Sequence, residues 1–186
     1  GTQGSPGSGT NQFNSPHGLA LFGNLLYIAD RSNHAIRRMD VNVPNVVTTF
    51  AGIPPVPGTT DTPALFNQPT GVAVDSSGNV FVGDYQNHTI RRITSGGAVT
   101  TVGGLAGARA FLDATGTAAR FNGPWGVAVD AVGSIYVADS NNQRVRKGTV
   151  VVTTAPSIGS HPSSASFTIG VSTVVNFTVS ASGSPA

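Results

Sequence analysis

The sequence predicts an all-β fold made of about three successive four-stranded antiparallel blades, followed by a C-terminal β or linker segment. Three observations predict it. A segment of nearly thirty residues recurs at Phe13, Phe66 and Phe121, in steps of 53 and 55 residues. Each period holds four short apolar or β-branched runs separated by Gly, Asn, Asp or Ser, the content of one propeller blade. The composition agrees. Only 10% of the 186 residues are charged, Glu is absent, and 24 Gly and 12 Pro punctuate the chain. Such a mixture favours pleats and turns over surface helices.

The second repeat shows the elements most plainly. Val72-Ala73-Val74 is the first run, and Asp75 to Asn79 turn the chain. Val80-Phe81-Val82 is the second, and Asp84 to Asn87 turn it again. Thr89 to Ile93 form the third, and Val99 to Val102 the fourth. The fourth run recurs as Val47 to Phe50 and as Val152 to Ala155. A helical alternative fails on run length and on Gly and Pro density.

The motif F-N-x-P-x-G-V-A-V-D, then G-N-x-Y-V-A-D, N-H-x-I-R-R and V-T-T-x-A-G, resembles the NHL repeat. Asn33-His34 and Asn87-His88 carry the dipeptide of that name, and the third repeat has Asn142-Gln143. Phe22 replaces the Asp of the other two repeats at Asp75 and Asp130. The resemblance implies a six-bladed propeller with the first strand of each blade lining the channel. On that reading residues 1–12 are the trailing loop of an upstream blade. Residues 13–65, 66–120 and 121–155 are three repeats, the last closing the propeller. Residues 156–186 are a Ser/Thr-rich linker that resembles the opening of a bacterial immunoglobulin-like domain. There Val175, Phe177, Val179 and Ala181 alternate with polar residues, a strand signal. A propeller joined to such a module implies a larger secreted or cell-surface protein.

The net charge of +2 gives no ground for a nucleic-acid partner. No apolar run reaches the ~20 residues that span a bilayer. Without cysteine the chain has neither disulfides nor thiolate metal sites.

Three sets of residues are candidates for chemistry. Asp30, Asp84 and Asp139, each followed three residues later by Asn33, Asn87 and Asn142, read as structural turn residues. Asx side chains accept backbone N–H bonds in tight turns, and one Asp per blade cannot surround a metal. The pairs Arg37-Arg38, Arg91-Arg92 and Arg146-Lys147 should point to opposite faces of a strand, one outward and one toward a turn Asp or an adjoining blade. The x of P-x-G is His17, Thr70 and Trp125. These precede the innermost strands and are the ligand-binding candidates at the channel mouth. The stretch from Pro16 to Leu21 resembles a zinc-ligand strand of the propeller lyases that amidate peptides, but Thr70 and Trp125 are not zinc ligands. The long loops Gly52–Leu65 and Gly104–Arg120 offer further room for function.

The reading is a non-catalytic scaffold, without cofactor or metal, that binds a protein, peptide or glycan. The alternatives are a metal-dependent propeller enzyme of the lyase or lactonase kind, completed by other blades, and an RNA-binding propeller. Three blades leave two blade faces open, and an open apolar face invites association. The chain by itself is therefore expected to self-associate. Multi-angle light scattering checks this, and a clean monomer with a cooperative melt contradicts it.

Overall fold

The computed structural model describes residues 7, 9, 11–43, 46–152 and 173–181. They form three four-stranded antiparallel sheets. Blade one is β1 (Pro16–Phe22), β2 (Leu25–Asp30), β3 (Ala35–Asp40) and β4 (Val47–Ala51). Blade two is β5 (Pro69–Val74), β6 (Val80–Asp84), β7 (Thr89–Ile93) and β8 (Val99–Gly103). Blade three is β9 (Pro124–Val129), β10 (Ile135–Asp139), β11 (Arg144–Val152) and β12 (Thr173–Ala181). In each blade the strands pair in chain order, and the first strands β1, β5 and β9 lie side by side along the axis. The chain is thus a partial propeller of antiparallel blades.

Blade three corrects one expectation. Val152, expected to begin the fourth strand, instead ends β11. The outer strand is β12, which pairs with β11 from Val145↔Ala181 to Val152↔Thr173. The strand expected in the tail therefore forms, but as the edge of a blade whose end the sequence had placed at residue 155. Residues 153–155, the rest of the expected fourth strand, lie outside the described residues, as do 156–172.

Blade two is stacked between neighbours, so its strands can bury both faces. In β6 every residue is buried, which explains an unbroken V-F-V-G run where a half-exposed strand would alternate. One core lies between blades one and two, around Tyr27, Ile36, Phe66, Val80 and Val82. A second lies between blades two and three, around Phe81, Ile90, Phe121, Ile135 and Val137. Near the axis the blades touch through bare backbone. A Cβ on Gly18 would collide with the Thr70 carbonyl, and one on Gly71 with the Trp125 carbonyl. The glycine of P-x-G is the residue that lets the strands close to that distance.

A polar clamp repeats in every blade. The Asp84 carboxylate accepts the Asn67 backbone N–H at 2.7 Å on one oxygen. Its other oxygen accepts Asn87 Nδ2 at 2.8 Å and Arg91 Nη1 at 3.0 Å. Asn87 also donates to the Gly58 carbonyl, and Arg91 to the Leu65 and Thr60 carbonyls and to Asp61. Asp30 with Asn14, Asn33 and Arg37, and Asp139 with Asn122, Asn142 and Arg146, make the same bonds. The first basic residue of each pair is buried inside its blade, and through these bonds it ties the incoming loop to the turn between the second and third strands. Burial pushes the Asp84 carboxyl up to about 6 and raises Asp30, with the facing arginines opposing the shift.

The histidines of the Asn-His dipeptides join blades. His34 and His88 stand in left-handed backbone at φ +55° and +59°. His34 Nδ1 accepts the Gln68 N–H and His88 Nδ1 the Gly123 N–H, both at 3.1 Å and both in the next blade. Burial lowers the pKa of each imidazole, and for His88 Arg109 adds to the effect while Asp139 opposes it.

Two predictions follow from these contacts. Asp84→Ala strands a buried guanidinium and two donors. It should cost about 3–5 kcal/mol, against about 1 kcal/mol or less for Asp61→Ala at the partly exposed second partner, as read by urea unfolding. The second concerns pH. The folded pKa values of His34 and His88 lie below the unfolded value of about 6.5. Their stabilising contribution is therefore complete above that value and is lost as pH falls below it toward the folded values. Asp84 acts in the opposite sense, because its folded pKa is raised, so stability is gained as pH falls from about 6 toward 4. A double variant His34→Gln/His88→Gln, copying Gln143 of the third repeat, keeps Asp84 and removes the imidazoles. Its melting temperature should fall less than that of the parent between pH 7.5 and 5.

Candidate ligand-binding face

Pro16 pairs with Asp30, Pro69 with Asp84 and Pro124 with Asp139. The start of each inner strand and the turn after each second strand therefore meet at one end of the molecule. Every inner strand carries an irregularity in register at P-x-G: between Pro16 and Leu19, between Pro69 and Val72, and opposite Val137 to Asp139 in blade three. Such a bulge re-aims the side chain it carries. The residue before each proline, Ser15, Gln68 or Gly123, has a φ of 53°, 53° or 63°. The residue after each clamp Asp, Arg31, Tyr85 or Ser140, opens a single 3-10 turn. These positions vary between repeats while their neighbours repeat.

Three blades contribute side chains to one cluster. The rings of His17 and Trp125 meet edge to face at 4.8 Å between centroids, and those of Tyr85 and Trp125 at 5.1 Å. The Arg31 guanidinium carbon lies 5.6 Å from the Trp125 ring centroid and 5.9 Å from that of Tyr85. Arg31 Nη2 donates to Gln68 Oε1 at 2.8 Å. His17 is exposed; Arg31, Gln68, Tyr85 and Trp125 are half-buried. A side chain at Gly123 would run into Tyr85 Cε2 and Asn141 Nδ2, so its glycine is what allows the Tyr85 ring to rest against blade three.

Of the three channel-mouth candidates, the structure brings His17 and Trp125 together. Thr70 is a correction: it is fully buried, and its hydroxyl donates to the Trp125 carbonyl at 2.8 Å. It supports the face from beneath, out of a ligand's reach. Arg31, Gln68 and Tyr85 were not singled out by sequence. For Arg31 and Tyr85 a signal was present all the same, since D-R-S-N, D-Y-Q-N and D-S-N-N differ at both positions between the fixed Asp and Asn.

The other candidates lie away from this face. The clamp Asp residues are fully buried. Arg38 stacks over Phe50, Arg144 over Phe111 and Lys147 over Tyr136, while Arg92 donates to Asn79. The long loops are held to their blades, through Asp61 to Arg91 in the first and Asp113 to Arg146 in the second. Among the described residues, no three His or Asp side chains converge as metal ligands. At the opposite end of blade one lies a shallow hollow of about 280 Å³, mostly apolar, between Leu25, Met39, Val43 and Val46. Among the described residues no helix is long and apolar enough to cross a membrane.

Comparison with known proteins agrees with this architecture. Residues 13–39, 66–93 and 121–147 match the NHL repeat. NHL repeat-containing protein 2 of Gallus gallus is 44% identical over 59 residues, 28% of this chain and 8% of that protein. A Bacteroides thetaiotaomicron structure of unknown function superposes with a TM-score of 0.58 at 27% identity, over 66% of this chain and 32% of that one. An auxiliary nutrient binding protein from Bacteroides ovatus superposes with a TM-score of 0.55, also at 27% identity, over 67% and 34%. The chain thus spans about a third of these solved structures and less of the curated relative. Each match covers the first two strands of a blade and all or part of its third, at the same place in all three, and the chain carries three NHL repeats folded as consecutive blades of a β-propeller.

Proposed function

We propose that these blades are a non-catalytic binding module of a larger secreted or surface protein, and that a protein, peptide or glycan is taken on the face formed by His17, Arg31, Gln68, Tyr85 and Trp125. One observation carries the reading. Three blades converge unlike side chains on one spot, through positions that vary between repeats while the backbone beneath them does not. Rigid aromatics with a few polar groups on an inflexible scaffold are the usual makings of a recognition surface. The Bacteroides ovatus structure is that of an auxiliary nutrient binding protein, which supports a binding role for these blades.

The test is a screen of the chain on glycan and peptide arrays, repeated with Trp125→Ala and Tyr85→Ala. A ligand of this face should bind at least about ten-fold more weakly to both variants, with little change for Arg92→Ala on the blade's flank. Equal binding by all four proteins places the ligand elsewhere and overturns the reading. So does capture of RNA alone with a steep salt dependence.

A further inference from the structure

The geometry points to a saccharide ring bearing one carboxylate, a hexuronic acid unit, as the ligand of this face: the carboxylate on Arg31 and the ring against Trp125. This inference rests on the reading above and names its ligand class.

The arginines Arg37, Arg91 and Arg146 each meet a carboxylate in their own blade. Arg31 has none within ion-pairing distance among the described residues. The carboxylate beside it in sequence, Asp30, is already engaged by Asn14 and Asn33 and lies within reach of Arg37. Of the five guanidinium donors, Arg31 uses one, toward Gln68. Its Nε is buried without a partner among the described residues, as is Arg91 Nε, so an incoming ligand would meet the Nη groups. A half-desolvated guanidinium with unused donors favours a planar anion that accepts two bonds at once.

The surroundings select the kind of anion. A phosphate carries up to two charges and is usually met by several cations or by a run of free backbone N–H groups. Here one cation lies over two aromatic rings, which suits a single negative charge on a body with an apolar face. The C–H groups of a pyranose present slight positive charge to the electron-rich face of a ring. The rim is amide and imidazole, from Gln68, Asn141 and His17, groups that both donate to and accept from sugar hydroxyls.

Trp125 is the one tryptophan in the chain, so its fluorescence reports from the site itself. The experiment titrates the intact chain with trigalacturonic acid and, in parallel, with its methyl ester. The acid should change Trp125 emission saturably. The ester should bind at least about ten-fold more weakly, the loss of a charged contact. Arg31→Gln should lose the preference for acid over ester, and Arg31→Lys, which keeps the charge without the fork, should fall between. Should Arg31→Gln fail to fold, the acid-to-ester ratio on the parent chain decides alone. Equal response to acid and ester, no response to either, or displacement of the acid by a tetrapeptide with a free C-terminal carboxylate but not by monomeric galacturonate overturns the saccharide assignment. In those cases the array ligand separates the two claims. If Trp125→Ala abolishes its binding, the face stands and only the ligand class falls. If it does not, both fall.

Discussion

One carboxylate in each blade holds three things together that the chain brings from different places. Asp84 accepts from the backbone of the entering loop, from the amide at the end of its own turn and from a guanidinium on the neighbouring strand. Burying an ion is costly, and a buried pair is sustained only when its remaining lone pairs and protons are satisfied. The structure meets most of that condition by giving the guanidinium the loop carbonyls as well, although Arg91 Nε stays buried without a partner among the described residues. Loop, turn and strand therefore form or fail together. The same dependence explains why long loops of mixed composition, such as residues 104–120, pack in a defined way: Arg146 reads their backbone through Leu112 and Arg120.

The candidate face inherits its rigidity from this clamp. Arg31 and Tyr85 follow directly on the clamped Asp30 and Asp84, and Gln68 follows on the clamped Asn67. Trp125 is held by its own carbonyl, which accepts from Thr70 in the neighbouring blade. Arg31, Gln68 and Tyr85 are thus each one residue away from a fixed point, and Trp125 is itself one. The blades also set one another's positions, through the imidazole bonds of His34 and His88 and the close backbone contacts at Gly18 and Gly71. Side chains from three blades can then hold mutual distances of about 5 to 6 Å.

The fold was largely legible in the sequence because it is periodic and local. Strands such as Thr89 to Ile93 and Val99 to Val102 are short runs between strong turn residues, and their partners are the next runs along the chain. β12 was misassigned for the opposite reason. Val152 continues an apolar run from β11, and the strand that pairs with it lies beyond a long intervening stretch, so no local signal links them. The site was legible in part. Equivalence between repeats pointed to His17 and Trp125, but whether such a residue faces out or in depends on the adjoining blade, and Thr70 turned inward to meet the Trp125 carbonyl. Arg31, Gln68 and Tyr85 stand next to motif residues and looked like filler, because only the stacking of blades brings residues 17, 31, 68, 85 and 125 together.

The bulged P-x-G start of each inner strand has an evolutionary consequence. The backbone there is fixed by the glycine and by bonds from neighbouring segments, and the side chain of x contributes little to that geometry in His17 or Trp125. A duplicated blade therefore arrives with its folding instructions intact and its outward positions free to drift. Outward side chains can be sampled by changing x where it faces out, as at His17 and Trp125, and the residue after the buried Asp, as at Arg31 and Tyr85, with small effect on whether the blade folds. Repeats of this design separate heredity of shape from heredity of function, and a lineage can keep the first while it rewrites the second.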